Sequence, residues 1–160
     1  MMTVRTRIAT TVLRWLIIER KRPLVDVGRM SLRCWPFDCD LNMHMNNSRY
    51  LGLMDLGRWH FVLVAGIAGE MRARGLMPVA VHVDIDFKKS IGPFQRFTLE
   101  TKLEAVGTKS FTVSQQFWLG DELAASANVV CLLRNKQGTQ LVAPLFDVLP
   151  HLRLPELSTT

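Results

Sequence analysis

The chain is 160 residues long, 48% hydrophobic and 21% charged, which is enough for one domain with a real core and excludes bulk disorder. Its net charge of +6 does not mark a nucleic-acid binder. Arg5, Arg7, Arg14, Arg20, Lys21 and Arg22 fall in the first 22 residues with Glu19 as the only acid, leaving 14 basic against 13 acidic residues elsewhere and no broad basic face.

Residues 1–22 read as a basic amphipathic helix, with Ile8, Val12, Trp15 and Leu16 at helical spacing. The run Val12–Ile18, broken by Arg14, is far short of the roughly 20 apolar residues of a membrane span, and it lacks the order of a signal peptide. The segment is expected to pack on the body or on a partner subunit. Peripheral contact with an anionic membrane is the main alternative, and a transit peptide the third. The expected location is the cytoplasm. The remaining residues, 23–160, form one domain.

After Pro23 the pattern turns extended. Met30, Leu32 and Cys34 alternate with Arg29, Ser31 and Arg33, as in a strand with one buried face. A polar stretch, Asp38–Ser48, precedes a proline-free segment from Arg49 to Arg74. There Leu51, Met54, Phe61, Val62, Ala65 and Ile67 predict a largely buried helix closed by Gly75. Gly52, Gly57, Gly66 and Gly69 weaken that helix by about 1 kcal/mol each relative to alanine, which is tolerable where other backbone packs closely against it. Four strands are predicted next. Val79, Val81, Val83, Ile85 and Phe87 form one face of the first, and Phe97, Leu99, Thr101, Leu103 and Ala105 one face of the second. Phe111, Val113, Gln115 and Phe117 form one face of the third, and Ala125–Leu133 is the fourth. Turns at Gly92-Pro93, Gly107, Gly120-Asp121 and Asn135–Gly138 are short, so the four are expected to pair as an antiparallel meander. One apolar helix against one antiparallel sheet is a two-layer α+β arrangement.

Cys34, Cys39 and Cys131 make no zinc spacing, and Cys34 and Cys39 are too widely spaced for a CxxC redox motif. They read as reduced thiols in a reducing compartment. His60, His82 and His151 have no clustered partners, so no metal site is expected. Ser48 lacks a nucleophile-elbow context.

The stretch from Asp38 to Tyr50 carries the chemistry. Two carboxylates, an imidazole, a phenol and three amide side chains meet at a strand-to-helix junction. Asn46 or Asn47 suits an N-cap, and the unpaired N–H groups of a helix start attract developing negative charge. The plainer reading is an Asx-rich loop whose side chains satisfy their own backbone.

The pattern Asp-x-Asp-x-x-x-His-x-Asn-Asn-x-x-Tyr, entering a long helix and followed by strands, resembles the 4-hydroxybenzoyl-CoA thioesterase-like branch of the hot-dog superfamily. The similarity covers roughly Val27 to Leu133. Met43 stands where many members have glycine. The resemblance implies a curved antiparallel sheet wrapped around one long central helix. It also implies hydrolysis of an acyl-coenzyme A thioester, with no cofactor beyond the coenzyme A of the substrate. In one family branch the second aspartate, here Asp40, attacks the thioester carbonyl or activates water, Asp38 orients the loop, and the N–H of Asn47 polarises the carbonyl. In another branch the acid lies on the helix about two turns further on, where Asp55 stands, and acts across a dimer interface.

His44 is expected to brace the loop or join the chemistry. It comes one residue early for the Asp-x-Asn-x-x-His pattern of a hot-dog hydratase, and Met45 occupies that place. Asn46, Tyr50 and Arg58 are substrate-binding candidates. Lys88 and Lys89, and Lys109 with Ser110, are candidates for the coenzyme A phosphates, while Met43, Met45 and Met54 suit an adaptable acyl pocket. A single curved sheet leaves an edge uncovered, so a homo-oligomer, dimer or tetramer, is expected. A non-catalytic acyl-CoA binder and a hot-dog enoyl-CoA hydratase or dehydratase are the alternatives to a thioesterase.

Overall fold

The computed structural model describes residues 24–152. The basic segment 1–22 and its boundary at Pro23 lie outside the described residues. The elements in chain order are β1 (Val27–Arg33), a 3-10 turn (Pro36–Asp38), α1 (Asn47–Val64), α2 (Ile67–Ala73), β2 (Met77–Phe87), β3 (Arg96–Val106), β4 (Ser110–Leu119), β5 (Glu122–Asn135), β6 (Gly138–Gln140) and α3 (Ala143–Phe146).

The predicted helix is two. Ala65 ends α1 and Gly66, at φ 72°, turns the chain so that α2 leaves at 87° to it. A β-carbon at Gly66 would meet only the tip of the exposed Leu24 side chain, which can swing aside, so it is the backbone conformation that favours glycine there. His151 Nε2 bonds the Ala65 carbonyl at 2.8 Å, partnering a group the helix end leaves open. Neither helix alone is long and apolar enough to cross a membrane.

The strands form one antiparallel sheet in the order β1-β3-β4-β5-β2, with β6 paired to β5. Only β3, β4 and β5 make the expected meander. The predicted pairing of β2 with β3 does not occur: β2 lies at the far edge beside β5, and β1 takes the place next to β3. The eight residues 88–95 between β2 and β3 reach about 26 Å when extended, ample to pass the roughly 14 Å across the two intervening strands.

Alternation holds along the whole predicted face of β4 and on β3 as far as Leu103. Phe97, Leu99, Thr101 and Leu103, and Phe111, Val113, Gln115 and Phe117, are buried toward the helix. Ala105 is exposed because the register shifts after Leu103. On β2 the single apolar face breaks at a shift between Ala80 and His82. Val83, Ile85 and Phe87 oppose the inward Val129, Ala127 and Ala125, whereas Val79 opposes the partly exposed Leu132 on the outer face. An inserted residue reverses the sides of everything beyond it.

The concave face holds α1, whose Tyr50, Leu53, Met54, Leu56, Gly57, His60 and Phe61 are buried, while Leu51 is exposed against expectation. Contact is closest at Gly57, where an added β-carbon would lie 2.8 Å from both Gln115 Nε2 and Leu99 Cδ2 and 2.9 Å from Thr101 Oγ1. That is the close approach which makes a mid-helix glycine tolerable. Val142, Leu145, Phe146, Leu149 and Leu152 close the far end of the core, with Phe146 edge-on to Phe111.

Candidate active site

The loop between β1 and α1 is a small hairpin built on its own polar groups. Asp40 N–H donates to the His44 carbonyl at 2.9 Å and Met43 N–H to the Asp40 carbonyl at 3.1 Å, and Cys39 bridges to Met45 beside them. The three-residue tip Leu41-Asn42-Met43 ends on Met43 in the left-handed region, φ 58°. Such a tip ordinarily places glycine at that position. The turn is therefore made with methionine, and the backbone carries the strain.

Asp38 is buried. Its Oδ2 accepts from Trp35 N–H at 3.0 Å, and Arg49 Nε lies 3.9 Å from its other oxygen. Arg49 also donates to the Phe37 carbonyl, so Asp38 and Arg49 together fix the entry of the loop. Asp40 is partly exposed. Its Oδ1 accepts from Asn42 N–H at 2.8 Å, an Asx turn, and among the described residues Oδ2 takes no partner. The helix cap is Asn46, whose Oδ1 accepts from Ser48 N at 2.9 Å and Ser48 Oγ at 2.7 Å. Asn46 N–H donates to the Asp38 carbonyl and Met45 N–H to Ile91. With the Asp40–His44 bond and the Cys39–Met45 bridge, these bonds lay residues 44–46, which lead into α1, alongside Asp38–Asp40. The N–H of Asn47, an exposed residue, is left without an acceptor among the described residues. One loop therefore carries both a carboxylate, Asp40, and an open helix N–H, that of Asn47.

The other predicted residues divide. His44 closes the hairpin through its carbonyl, but its exposed imidazole has no partner among the described residues, so the ring does not brace the loop as expected. Tyr50 lies in the core, edge-on to Phe87 and Phe117 at 4.9 Å each, rather than at a surface ready for substrate. Burial, with a smaller contribution from Cys34, pushes its phenol up to about 12. Of the methionines, Met45 and Met54 are core, and Met43 is 59% exposed. Lys88 and Lys89 follow β2 at the same end of the sheet as the loop, and Lys89 pairs with Glu122. Lys109 and Ser110 do not join them. Ser110 stands level with Leu132 and Val79, whereas Phe117, Ala125 and Phe87 mark the loop end, seven residues along β4. That is roughly 23 Å away at strand rise.

Asp55 is half-exposed on α1 and held by Arg58 at 3.1 Å. It stands eight residues, about 12 Å of helix, beyond Asn47. Within one subunit the two do not reach the same carbonyl. Arg58 turns inward to Gln115 Oε1 at 3.0 Å, and Gln115 Nε2 donates to Thr101 Oγ1 and the Met54 carbonyl. Gln115 is 0% exposed, with both amide hydrogens donated and its oxygen accepting from Arg58. Sequence reasoning placed Gln115 on the buried face without a role, though a lone amide among Phe111, Val113 and Phe117 was the available signal. Burial pushes the nearby Cys131 thiol up, with Arg58 opposing the shift. A small apolar cavity of about 30 Å³ lies between Arg58, Cys131, Leu103 and Phe146.

A curled antiparallel sheet closed around one long helix, with a polar loop at the helix start, is a hot-dog fold. Residues 34–152 match the model of the thioesterase-like superfamily, and the chain belongs to that family. Protein THEM6 of Drosophila melanogaster is 30% identical over 112 residues, 69% of this chain and 58% of that one. Protein THEM6 of Xenopus laevis is 33% identical over 82 residues, 51% and 40% of the respective chains. The chain spans about half the length of the curated relatives it matches. Among solved structures, a probable thioesterase from Escherichia coli superposes with TM-score 0.72 at 21% identity, over 78% of this chain and 98% of that one. A mutant 4-hydroxybenzoyl-CoA thioesterase complexed with 4-hydroxybenzoyl-CoA superposes with TM-score 0.68 at 15% identity, over 78% and 99%.

Proposed function

We propose that the chain hydrolyses an acyl-coenzyme A thioester to a free acid and coenzyme A, with Asp40 and the Asn47 N–H as the reacting pair. The observation that supports this reading is that one loop carries both groups, Asp40 Oδ2 and the Asn47 N–H, each without a partner among the described residues. The helix N–H stabilises the oxyanion that forms when the thioester carbonyl is attacked. Asp40 takes the proton of the attacking water, and the tetrahedral intermediate collapses with loss of the coenzyme A thiolate, which recovers a proton. No cofactor enters this scheme. Asn46 and Asp38 hold the loop and helix start in register, and Lys88 is the candidate for a coenzyme A phosphate.

The partner subunit supplies the missing wall. On β2, an edge strand among the described residues, Val79, Val81, Val83 and Phe87 are all more than a third exposed, an apolar edge of the kind that pairs with a second copy. Asp55 is the second reading for the catalytic acid. Its exposed carboxylate reaches a helix start only if that start belongs to the other subunit. Residues 1–22 are assigned to docking, on the body or on a membrane surface, rather than to the reaction.

Thiol release from acyl-CoA esters of graded chain length tests the reading. Asp40→Asn should lower turnover by roughly 100-fold or more with the fold intact, and Asp55→Asn should cost far less. The reverse ranking moves the role to Asp55, and a wild-type chain that binds acyl-CoA without releasing thiol is a binder.

A further inference from the structure

Cys34 and Cys39 lie too far apart in sequence for a CxxC motif, yet the 3-10 turn folds them together. Their sulfurs are 3.5 Å apart. Each end of the pair is anchored separately. Cys34 N–H donates to the Gln95 carbonyl and Phe94 N–H to the Cys34 carbonyl, while Cys39 N–H donates to Pro36 and its backbone bridges to Met45. Between them the turn is closed by Asp38 N–H to the Trp35 carbonyl and Trp35 N–H to Asp38 Oδ2. The proximity of the thiols is thus set by the fold. Cys34 is fully buried and Cys39 partly exposed, so an oxidant in solution meets Cys39 first.

We propose that Cys34 and Cys39 form a peroxide-responsive dithiol whose disulfide locks the loop carrying Asp38 and Asp40. The Cys39 thiolate attacks one oxygen of hydrogen peroxide, the O–O bond breaks, and Cys39 becomes a sulfenic acid with release of hydroxide. The Cys34 sulfur then attacks the Cys39 sulfur and expels the sulfenic oxygen, which leaves as water with the Cys34 proton. Two thiols lose two electrons in all, and one peroxide is reduced to two waters. A disulfide needs about 2.05 Å between sulfurs, so closure draws Cys39 inward and cross-links the base of the hairpin one residue from Asp40. In a reducing compartment such a bond is transient and belongs to a sensor rather than a staple. The consequence for turnover rests on the thioesterase reading, but the formation of the bond and the locking of the loop do not.

The test is stoichiometric hydrogen peroxide on the full chain, read by intact mass, peptide mapping and amide exchange. The wild type and Cys131→Ser should both lose about 2 Da, two hydrogens per disulfide. The mapped link should join Cys34 to Cys39, and exchange in residues 35–46 should slow several-fold and recover with dithiothreitol. Cys39→Ser should lose no mass and keep its exchange rate. Oxygen addition at Cys39 without a link, a link to Cys131, or a linked loop that exchanges as fast as before would each overturn the proposal. Reduced wild type without thioester cleavage would defeat the functional reading and leave the mass and exchange results to judge the dithiol.

Discussion

Met43 offers a measurement of strain at the candidate site. Its φ of 58° is left-handed, which costs an L-residue with a β-carbon roughly 1–2 kcal/mol. Methionine at 59% exposure recovers under half of the roughly 1.5–3 kcal/mol that full burial gives. Met43→Ala removes that partial burial and keeps the strain, so it should destabilise by about 1 kcal/mol. Met43→Gly removes both, and against the relief stands about 0.4–1 kcal/mol of extra unfolded-chain entropy. Glycine should therefore exceed alanine by about 0.5–1 kcal/mol and lie close to the wild type. Urea unfolding of the full chain reads this as a midpoint about 0.3–0.5 M higher for glycine than for alanine, at m near 2 kcal/mol/M. Phe94, at φ 64° and 59% exposed, is an internal replicate on which the same pair of substitutions should rank the same way. If alanine equals or exceeds glycine at Met43, the hairpin tip is not left-handed in solution and the derived position of Asp40 fails with it.

Three further outcomes follow from the packing. Gly57→Ala gains about 1 kcal/mol of helix propensity but forces its β-carbon against Gln115, Leu99 and Thr101, at about 1–3 kcal/mol. The net is a lower melting temperature, and an unchanged or higher one would show that α1 sits further from the sheet. Tyr50 is the only tyrosine, so phenolate absorbance of the folded protein titrates it alone, with a midpoint near 12. Between pH 10 and that value the unfolded chain has lost a proton that the folded chain keeps, so stability falls over this window. Tyr50→Phe should remove that part of the decline, and a folded midpoint at 10 would place the ring in water. Val83→Lys on the β2 edge should convert a dimer to monomer in sedimentation, whereas a wild-type monomer at assay concentration would refute the pairing.

Much of the site was legible because its determinants are local. An Asn-Asn-Ser before a long apolar segment specifies a helix start, since the cap bond spans only two residues, and Asp40 makes its Asx turn with Asn42 in the same way. Alternation on β3 and β4 was legible for a related reason, because side-chain direction is set residue by residue along a strand. The sequence by itself thus determined an α+β chain with a polar loop capping its main helix. What it did not determine depends on partners distant in the chain. The neighbour of β2 is β5, whose paired residues lie 38 to 57 positions further on, and edge placement depends on how the whole sheet closes around α1. The bulge near Val81 reverses a face that reads as one strip, because a single unpaired residue leaves no mark in a run of valines. Gln115 acquires its role only when Gly57 lets α1 approach and brings Arg58 and the Met54 carbonyl to its amide. The two thiols of Cys34 and Cys39 meet because a 3-10 turn shortens the path between them. Periodicity reports which side of an element is buried, and only the closed tertiary structure decides what it is buried against.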